Sequence, residues 1–338
     1  MALDLLAGLK VLDLGQGISG PFCAKLFADL GASVVKVEPP TGDPARLLGP
    51  FPGDTPHPER SGLYLALNTN KLGVTLNLAT TTGRELLVQL AQDADLLVEN
   101  FPPGYLPDLG LDYPVLEARN PRLVLVSVTP FGQTGPWAGY QANNLILSNV
   151  SGHAVGHPGP VDDPAAQPPL QLAAHQAEFV AGLTAATAAL LALNRRRITG
   201  CGGQVDVSAM ESLALLPQSV LAEFALGLSP RGRRKDQAER LSLLALLPCR
   251  DGYVGLSPRQ QDQWERLVAL LGHPQWANDP RFATRDGRLE NWNDLEPLLS
   301  AWTGPRTRDE VYRLAQGARI PAFPLNTAAD LFTSIIDI

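Results

Sequence analysis

The sequence KVLDLGQGISGP, residues 10–21, joins a short apolar run to a turn rich in glycine. Lys10–Leu14 has the composition of a buried strand, and Phe22–Leu30 after the turn has apolar residues at helical spacing. Gly31 ends this helix, and Ser33–Val37 has the β-branched content of a second strand. A strand, a helix and a strand in this order predict a βαβ unit. Such units build parallel sheets with right-handed crossovers.

The alternation of strands and helices continues along the first part of the chain. A long segment, Thr41–Ser61, interrupts it and is rich in proline, glycine and charge, which is typical of a loop. In the strand that follows this loop, Val74 and Leu76 lie on one face. We predict strands at Gly73–Asn77, Asp95–Glu99 and Leu123–Val128, and a helix at Thr82–Asp93.

The second half of the chain contains one long apolar helix and a charged connector. A loop at Gly152–Pro169 precedes Ala177–Leu193, which is apolar on nearly every face and therefore predicts a buried helix. Three arginines at 195–197 follow, where positive charge complements the helix macrodipole. The charged segment Pro230–Arg240 is the best linker candidate. Beyond it we predict a strand at Asp251–Leu256 and helices at Gln260–Leu271, Leu295–Trp302 and Thr307–Gln316. The predicted division is a large domain at 1–225, a linker at 226–240 and a small α+β domain at 241–338.

Composition excludes several classes of protein. The chain has 338 residues, of which 45% are hydrophobic and 18% charged, so it can bury a large core. Its net charge of −7 argues against a nucleic-acid partner, which needs a basic face. Cys23, Cys201 and Cys249 lie far apart, which gives neither a disulfide framework nor a zinc site and indicates a reducing compartment.

The sequence also predicts a cytosolic protein with no membrane partner. Its first ten residues lack the basic start of a signal peptide. The closest approach to a membrane span, Phe179–Leu193, is too short to cross a bilayer.

The turn after the first strand has the spacing Gly15-x-Gly17-x-x-Gly20 of a dinucleotide fingerprint. Pro21 follows the third glycine, and Glu38 supplies an acid at the end of the second strand. Glycine-rich turns also occur as plain tight connections, so nicotinamide binding is the less favoured interpretation. The turn can still hold a phosphate or an adenine group, because a helix N-terminus attracts anions.

Several short motifs occur together in the order that is found in one known family. They are Gly8-Leu-Lys-Val-Leu-Asp13, Gly20-Pro21, Asp29-Leu-Gly-Ala32, Val35-Lys-Val-Glu-Pro39, Asn68-Thr-Asn-Lys71, Val98-Glu-Asn-Phe101, Asn120-Pro-Arg-Leu123, Phe131-Gly-Gln-Thr-Gly-Pro136, Gln204-Val-Asp206, Asp251-Gly-Tyr253 and Asp279-Pro-Arg-Phe282. As an ordered set they resemble the class III CoA-transferase family, which includes formyl-CoA and carnitine-CoA transferases and α-methylacyl-CoA racemases. The resemblance extends from residue 8 to residue 331.

This resemblance implies an α/β fold with a Rossmann-like large domain of parallel sheet and a smaller α+β domain, assembled as an interlocked dimer. It implies coenzyme A or an acyl-CoA as substrate and no metal. CoA-binding positions carried over from the family are Gln16, Gly17, Ile18, Lys71, Asn100 and Phe101. Lys71 can meet a phosphate as a point charge, and Phe101 can pack on the cofactor. The competing interpretations are an exposed salt-bridging lysine and a core phenylalanine.

The family places its catalytic aspartate four residues before the glycine of an Ala-Gly-Leu sequence. Here Glu178 stands four residues before Gly182, so the carboxylate is present on a side chain one methylene longer. The resemblance implies that Glu178 forms a glutamyl-CoA thioester during CoA transfer from an acyl-CoA to a carboxylic acid. The competing interpretation is a first-turn acid that only caps its own helix.

Two other functions stay open at this point. One is a catalytically degenerate CoA-binding subunit that pairs with an active homologue, so the dimer could be a homodimer or a heterodimer. The other is an acyl-CoA racemase, which is disfavoured because Gly139–Gln141 stands where the family's racemases have a Gly-His-Asp sequence. The family's chain also returns to the large domain after a segment like Ile320–Thr327, and we expect this return to be absent from the 338 residues.

Overall fold

The computed structural model describes residues 4–157, 161, 163, 165–171, 173–228 and 245–335. The chain divides into two compact units, Met1–Gln237 and Ala238–Ile338. The predicted linker at 226–240 stays a prediction, because its residues from 229 onward lie outside the described residues.

The first unit is built on a six-stranded sheet in which every neighbouring pair of strands is parallel. The strand order is β3-β2-β1-β4-β5-β6. This is the order of a doubly wound Rossmann-type sheet, which reverses direction between its first and fourth strands and binds ligands at that switch point. The parallel sheet predicted from the sequence is confirmed. Its strands are β1 (Lys10–Asp13), β2 (Ser33–Glu38), β3 (Leu72–Thr75), β4 (Leu96–Glu99), β5 (Val124–Thr129) and β6 (Gly203–Ser208).

Helices cover both faces of this sheet, because successive strand residues point to opposite sides. Val11 belongs to an apolar cluster shared with residues of the first and the seventh helix. Its neighbour Leu12 belongs to a second cluster, shared with residues of the third and the fifth helix. The helices are α1 (Ser19–Asp29), α2 (Gly62–Asn68), α3 (Thr81–Gln92), α4 (Tyr105–Asp108), α5 (Tyr113–Arg119), α6 (Asn144–Val150), α7 (Gln176–Thr199), α8 (Ala209–Ala214) and α9 (Gln218–Ala225). Short 3-10 helices lie at Pro44–Leu47, Pro52–Asp54 and Ala154–Gly156.

Helix α7 is longer than predicted and is buried on one side only. A stripe of small residues, including Ala181, Gly182 and Ala185, packs against α1. The opposite side exposes leucines and Ile198, which is 81% exposed, so the prediction of burial on nearly every face is wrong for the single chain. With 24 residues, α7 is also long and apolar enough to cross a membrane, judged by length and composition alone. A helix that packs in a protein core meets the same two criteria.

The C-terminal end of α7 is tied to the sheet by one of its three arginines. Arg196 is buried and pairs with Asp95 at 2.9 Å. Its guanidinium also donates to the carbonyl oxygens of Asp95 and Arg122, each at 3.2 Å. Gly200 then ends the helix in the left-handed region, at φ 78°. This arginine therefore does more than complement the helix dipole, since it joins α7 to the start of β4 and β5.

The second unit has a small antiparallel sheet of order β7-β8-β9 with helices around it. Arg288 lies in its core, 4.5 Å above the ring of Trp264, and donates to the carbonyl oxygen of Phe282 at 2.9 Å. The predicted smaller α+β unit is thus observed in its sheet and helices. Its strands are β7 (Ala245–Cys249), β8 (Gly252–Leu256) and β9 (Ala322–Pro324). Its α-helices are α10 (Gln261–Leu270), α11 (Arg285–Glu290), α12 (Trp292–Thr303), α13 (Arg308–Gly317) and α14 (Ala328–Ile335), with 3-10 helices at Gln275–Asn278 and Pro280–Phe282.

Candidate active site

Two loops meet at the switch point of the six-stranded sheet. The glycine-rich turn follows β1, and the loop that contains Asn100 follows β4. The Asn100 side chain accepts a hydrogen bond from Gln16 N and donates one to Gln16 O, each at 2.7 Å. It also donates to Ser19 Oγ at 3.1 Å. Asn100 therefore fixes the position of the turn and of the first residue of α1.

The turn does not present its amides as a phosphate cradle. Gly15 N donates to Asp13 at 3.0 Å, and Gly17 N donates to Asp43 at 2.9 Å, while Gln16 N is held by Asn100. A dinucleotide fingerprint needs such amides free to face the pyrophosphate. The glycines have packing reasons instead, since a Cβ at Gly15 would lie 2.7 Å from the Cα of Gly20. The turn is therefore a tight connection, and nicotinamide binding is not supported.

Glu38 provides a second argument against a dinucleotide. At the end of β2 it stands where such proteins use an acid to bind a ribose. Here Arg46 binds both of its oxygens, at 2.7 and 2.8 Å, and the Tyr64 hydroxyl donates to it as well. Although burial opposes ionisation, these hydrogen bonds lower the pKa of Glu38 to about 2. The guanidinium lies 3.8 Å above the Tyr64 ring, so this acid is fully engaged within the protein.

Four buried charges lie beneath the turn and balance one another. Lys36 pairs with Asp43 at 2.8 Å and donates to the carbonyl oxygen of Gly15. Lys71 pairs with Asp13 at 2.8 Å. All four side chains are at most 2% exposed. Buried charges are tolerated when they are paired and hydrogen-bonded, so this cluster holds the turn in one conformation.

Lys71 is occupied within that cluster. Its ammonium donates to Asp13 at 2.8 Å, to the carbonyl oxygen of Pro21 at 2.7 Å and to Asn68 Oδ1 at 2.9 Å. Burial lowers the pKa of Lys71, and Asp13 opposes that shift. An ammonium has three donors, and all three have partners in the protein. Its assignment as a CoA contact stays a prediction, and the geometry favours a structural role.

A cavity opens at the carboxyl ends of β1, β2 and β4. It encloses about 420 Å³ when the space open to solvent is counted, so it is a shallow, open depression. The rings of Phe101 and Tyr105 stand 4.4 Å apart and form part of its wall, opposite Gln16 and Leu14. Phe101 also packs on the apolar cluster of this face of the sheet. Of the predicted CoA contacts, Gln16 and Phe101 therefore line one opening, and Asn100 is hydrogen-bonded to Gln16 beside it.

Glu178 lies beside the same turn because α7 crosses α1 there. One helical turn beyond Glu178, a Cβ at Gly182 would lie 2.6 Å from the carbonyl oxygen of Ser19. Residues four apart share a helix face and are separated by about 6 Å along the axis. The rings of Phe179 and Phe22 also meet edge to face, with centroids 4.9 Å apart. The carboxylate is thus placed next to the N-terminal turn of α1.

The Glu178 carboxylate does not cap its own helix. The amide of Ala177 donates to Asn144 Oδ1 at 3.0 Å, so α6 supplies a cap instead. Glu178 Oε2 is buried and has no hydrogen-bond partner, and Oε1 lies 4.0 Å from His175 Nδ1. A buried carboxylate oxygen without a protein partner is costly and calls for an explanation, of which a catalytic role is one. The capping interpretation is therefore not supported.

The backbone before α7 is strained. Ala174 and His175 both have positive φ, at 53° and 58°. Left-handed conformations cost non-glycine residues about 1–2 kcal/mol each. Such strain is concentrated at functional sites, and here it sets where the helix of Glu178 begins.

Among the described residues, no group of three or more His, Cys, Asp and Glu side chains could hold a metal ion. His153 and His157 stand together, with ring centroids 5.0 Å apart. Burial, with His157 as a neighbour, lowers the pKa of His153. This pair is separate from the group around Gln16.

Comparisons with known proteins identify the family of the chain. The model of CoA-transferase family III matches residues 6–335, and the chain belongs to this family. It is 33% identical, over 96% of this chain and 79% of the relative, to the succinyl-CoA–D-citramalate CoA-transferase of Chloroflexus aurantiacus. It is 35% identical, over 96% of this chain and 80% of the relative, to the BbsE subunit of succinyl-CoA:(R)-benzylsuccinate CoA-transferase of Thauera aromatica.

Solved structures give the same result. A CAIB/BAIF family protein from Brucella suis superposes with a TM-score of 0.84 at 32% identity, over 97% of this chain and 85% of that one. A hypothetical protein from Mycobacterium tuberculosis superposes with a TM-score of 0.79 at 27% identity, over 96% of this chain and 85% of that one. The predicted family and enzyme class are confirmed: the chain is a class III CoA-transferase, and CoA thioesters are its substrates.

Proposed function

We propose that the chain moves CoA from an acyl-CoA thioester to a carboxylic acid through a glutamyl-CoA formed on Glu178. The observation that carries this proposal is that the Glu178 carboxylate has a buried oxygen without a hydrogen-bond partner. This carboxylate lies at the N-terminus of α7 beside α1, and the capping of Ala177 is done by Asn144. A carboxylate that has one oxygen without a partner and is not used as a cap is available to a substrate.

The reaction proceeds by covalent catalysis. Glu178 attacks the thioester carbonyl, the C–S bond breaks, and CoA thiolate leaves a mixed anhydride. The thiolate then attacks the glutamyl carbonyl of the anhydride, which releases the donor acid and forms glutamyl-CoA. The acceptor carboxylate attacks that thioester to give a second anhydride and thiolate. Attack of the thiolate on the acceptor's carbonyl gives the new acyl-CoA and restores Glu178.

The cavity beside Phe101 supports a position for the nucleotide end of CoA. It lies at the switch point of the sheet, where this type of fold binds nucleotides. Phe101 and Tyr105 offer flat apolar walls for the adenine ring. We assign Gln16, Gly17 and Ile18 in the turn, with Asn100 and Phe101, to this contact. The thioester end would then extend along the N-terminus of α1 to Glu178.

The relatives suggest the class of substrate. Two are named for succinyl-CoA with D-citramalate and with (R)-benzylsuccinate, and a third, from Agrobacterium fabrum, for succinate and glutarate. All of these acids are dicarboxylic. We infer that succinyl-CoA is the donor and that a dicarboxylic acid is the acceptor.

A second subunit is the partner that the surface supports. Helices α7 and α9 expose Leu191, Ile198 and Phe224, and Leu226 just after α9 is exposed as well. Contiguous exposed apolar surface of this kind marks protein–protein interfaces. We infer an interlocked dimer that covers these residues. Relatives named as α, β or BbsE subunits keep a second function open, a CoA-binding subunit that pairs with an active homologue. No observation favours a racemase.

Trapping tests the proposal. The protein is incubated with succinyl-CoA, digested and examined by mass spectrometry for a CoA thioester on the Glu178 peptide. Glu178→Gln should abolish both the adduct and the exchange of CoA, whereas Glu85→Gln, at an exposed position of α3, should change neither. An adduct and activity that survive Glu178→Gln would refute the nucleophile. Activity that arises only on mixing with a homologue, with the adduct on that homologue, would establish the degenerate subunit.

A further inference from the structure

Glu99 is a buried acid behind the loop that carries Asn100 and Phe101. It is the last residue of β4 and is 3% exposed. Its Oε2 accepts a hydrogen bond from Phe101 N at 2.7 Å, and the Ser127 hydroxyl of β5 binds its carboxyl group as well. The next residue, Asn100, is the one that fixes the turn at Gln16. The carboxyl of Glu99 therefore holds the backbone of the loop whose Asn100 is bonded to the glycine-rich turn.

In the part of the chain that the structure describes, the charged side chain that acts on Glu99 is an acid and not a cation. On the β6 side stands another acid, Asp206, and on the β1 side the backbone of Leu14 bonds to Val98. Asp112 and Tyr113, at the start of α5, line the same cavity as Glu99, which encloses about 460 Å³ counting open space. Burial raises the pKa of Glu99 to about 7, and the negative charge of Asp206 raises it as well. The hydrogen bonds from Ser127 and Phe101 N lower this pKa and so oppose the shift.

We propose that Glu99 is a positioning residue whose protonation sets the CoA-binding loop, so that its neutral form favours acyl-CoA binding and its ionised form weakens it. This inference rests on the proposed assignment of Asn100 and Phe101 to CoA. The neutral carboxyl keeps one oxygen for Phe101 N and can donate its proton to Ser127 Oγ. The ionised carboxylate places a charge without a cation beside Asp206 and behind the site of a polyanionic ligand.

Binding and protonation are then coupled in both directions. An anionic ligand near Glu99 favours the neutral carboxyl, and by linkage the neutral carboxyl binds that ligand more tightly. The KM for acyl-CoA should rise as Glu99 ionises. The value of kcat should change little, because Glu99 touches neither the thioester nor Glu178.

The test is the pH profile of KM for succinyl-CoA. In the wild type we expect KM to rise about tenfold between about pH 6 and about pH 8.5, as a coupling of ordinary size gives. In Glu99→Gln, which keeps an acceptor oxygen but cannot ionise, that rise should disappear. The 3′-phosphate of succinyl-CoA also titrates in this pH range, but its effect on KM is the same for every variant. Asp112→Asn removes an acid from the same cavity and should keep the wild-type profile. An equal rise in Glu99→Gln, or a pH effect confined to kcat, overturns the inference.

Two further measurements separate this inference from the assignment on which it rests. Phe101→Ala should raise KM at every pH; if it does not, the CoA assignment fails and Glu99 loses its proposed role with it. If Phe101→Ala raises KM while Glu99→Gln keeps the pH dependence, only the inference about Glu99 fails. Proton uptake by the wild type on binding dephospho-CoA, measured by calorimetry in two buffers near neutral pH, needs no variant. Absence of uptake contradicts the inference.

Discussion

Asn100 and Gln16 are 84 residues apart in sequence and hold each other by two hydrogen bonds of 2.7 Å, one in each direction. This pair closes the switch point of the sheet, where a dinucleotide enzyme leaves free amides for a pyrophosphate. The turn has the glycine spacing of such enzymes, but the amides of residues 15, 16 and 17 donate to Asp13, Asn100 and Asp43. These three amides are therefore not available to a ligand at this edge of the sheet.

Asn100→Ala should raise the KM for acyl-CoA by about tenfold or more, because the variant loses the hydrogen bonds that fix the turn. Asn120→Ala is the matched control. Asn120 likewise joins segments distant in sequence: it donates to the carbonyl oxygens of Ala91 and Ala94 at 2.9 and 2.7 Å, and it lies near the amino ends of the strands. Urea unfolding should show similar losses of stability for both variants, while steady-state kinetics should show the KM effect in Asn100→Ala alone. An equal KM for the two variants would remove the role of Asn100 in the site.

Lys71→Met should lower the free energy of unfolding by about 3 kcal/mol, since Asp13 stays buried without its closest cation. Lys36 would remain near Asp13, but at 3.9 Å. The control is Lys25→Met, which breaks a surface pair with Asp29 at 2.7 Å and should cost at most about 1 kcal/mol. Denaturant titration checks both values. If Lys71→Met instead leaves stability unchanged and raises the KM for CoA, the lysine is a ligand contact after all.

Glu99→Gln should become more stable than the wild type as the pH rises. The pKa of Glu99 is about 7 in the folded chain, above its ordinary value of 4.5. At a pH below 4.5 the carboxyl is protonated in both the folded and the unfolded chain, so its ionisation does not change the free energy of unfolding. As the pH rises through this interval, the unfolded chain ionises first and the wild type loses up to about 3 kcal/mol. Urea unfolding near pH 4.5 and pH 8 should therefore show a difference between variant and wild type only at the higher pH; a constant difference would show that burial does not hold the proton.

Gly182→Ala should lower kcat, because a Cβ there would meet the carbonyl oxygen of Ser19 at 2.6 Å and push α7 away from α1. That displacement moves Glu178, and a shift of about 1 Å can cost roughly a hundredfold in rate. Gly317→Ala in α13 is the control, since nothing lies within 4 Å of its Cβ and alanine favours the helix. Single-turnover kinetics with succinyl-CoA separates the chemical step from binding. A normal rate in Gly182→Ala would show that the contact with Ser19 does not position the carboxylate.

Local sequence patterns were sufficient to predict β1, α1 and β2, because each is specified by its own apolar period. They were not sufficient for β6, which pairs with β5 only after a long intervening segment. Contacts distant in sequence explain the other differences. Asp43 lies in the segment predicted as a loop, yet it holds the amide of Gly17 and the ammonium of Lys36. Asp13 and Lys36 did carry a signal, since charged residues inside apolar strands are expected to be paired.

The catalytic role of Glu178 was predicted from a family motif and stays a prediction, and the structure adds an observation that favours it over capping. The sequence left capping and catalysis open for Glu178, because a first-turn acid suits both roles. The choice depends on Asn144, which lies 33 residues before Ala177 and supplies the cap from α6. No local pattern could reveal that a different helix had taken over this task. The exposure of one face of α7 could not be predicted either, since composition does not distinguish a helix buried in one chain from a helix covered by a second subunit.

The most direct test of the account follows the oxygen atoms of Glu178. The protein is turned over with succinyl-CoA and an acceptor acid whose carboxylates carry oxygen-18, and the peptide containing Glu178 is weighed by mass spectrometry. Each passage through the second mixed anhydride transfers one oxygen of the acceptor to the glutamate. We therefore expect a Glu178 peptide heavier by one label after a single turnover and by up to two labels after several, with none in Glu85 of the same digest. A Glu178 peptide that stays unlabelled while labelled acyl-CoA accumulates would contradict catalysis through this carboxylate.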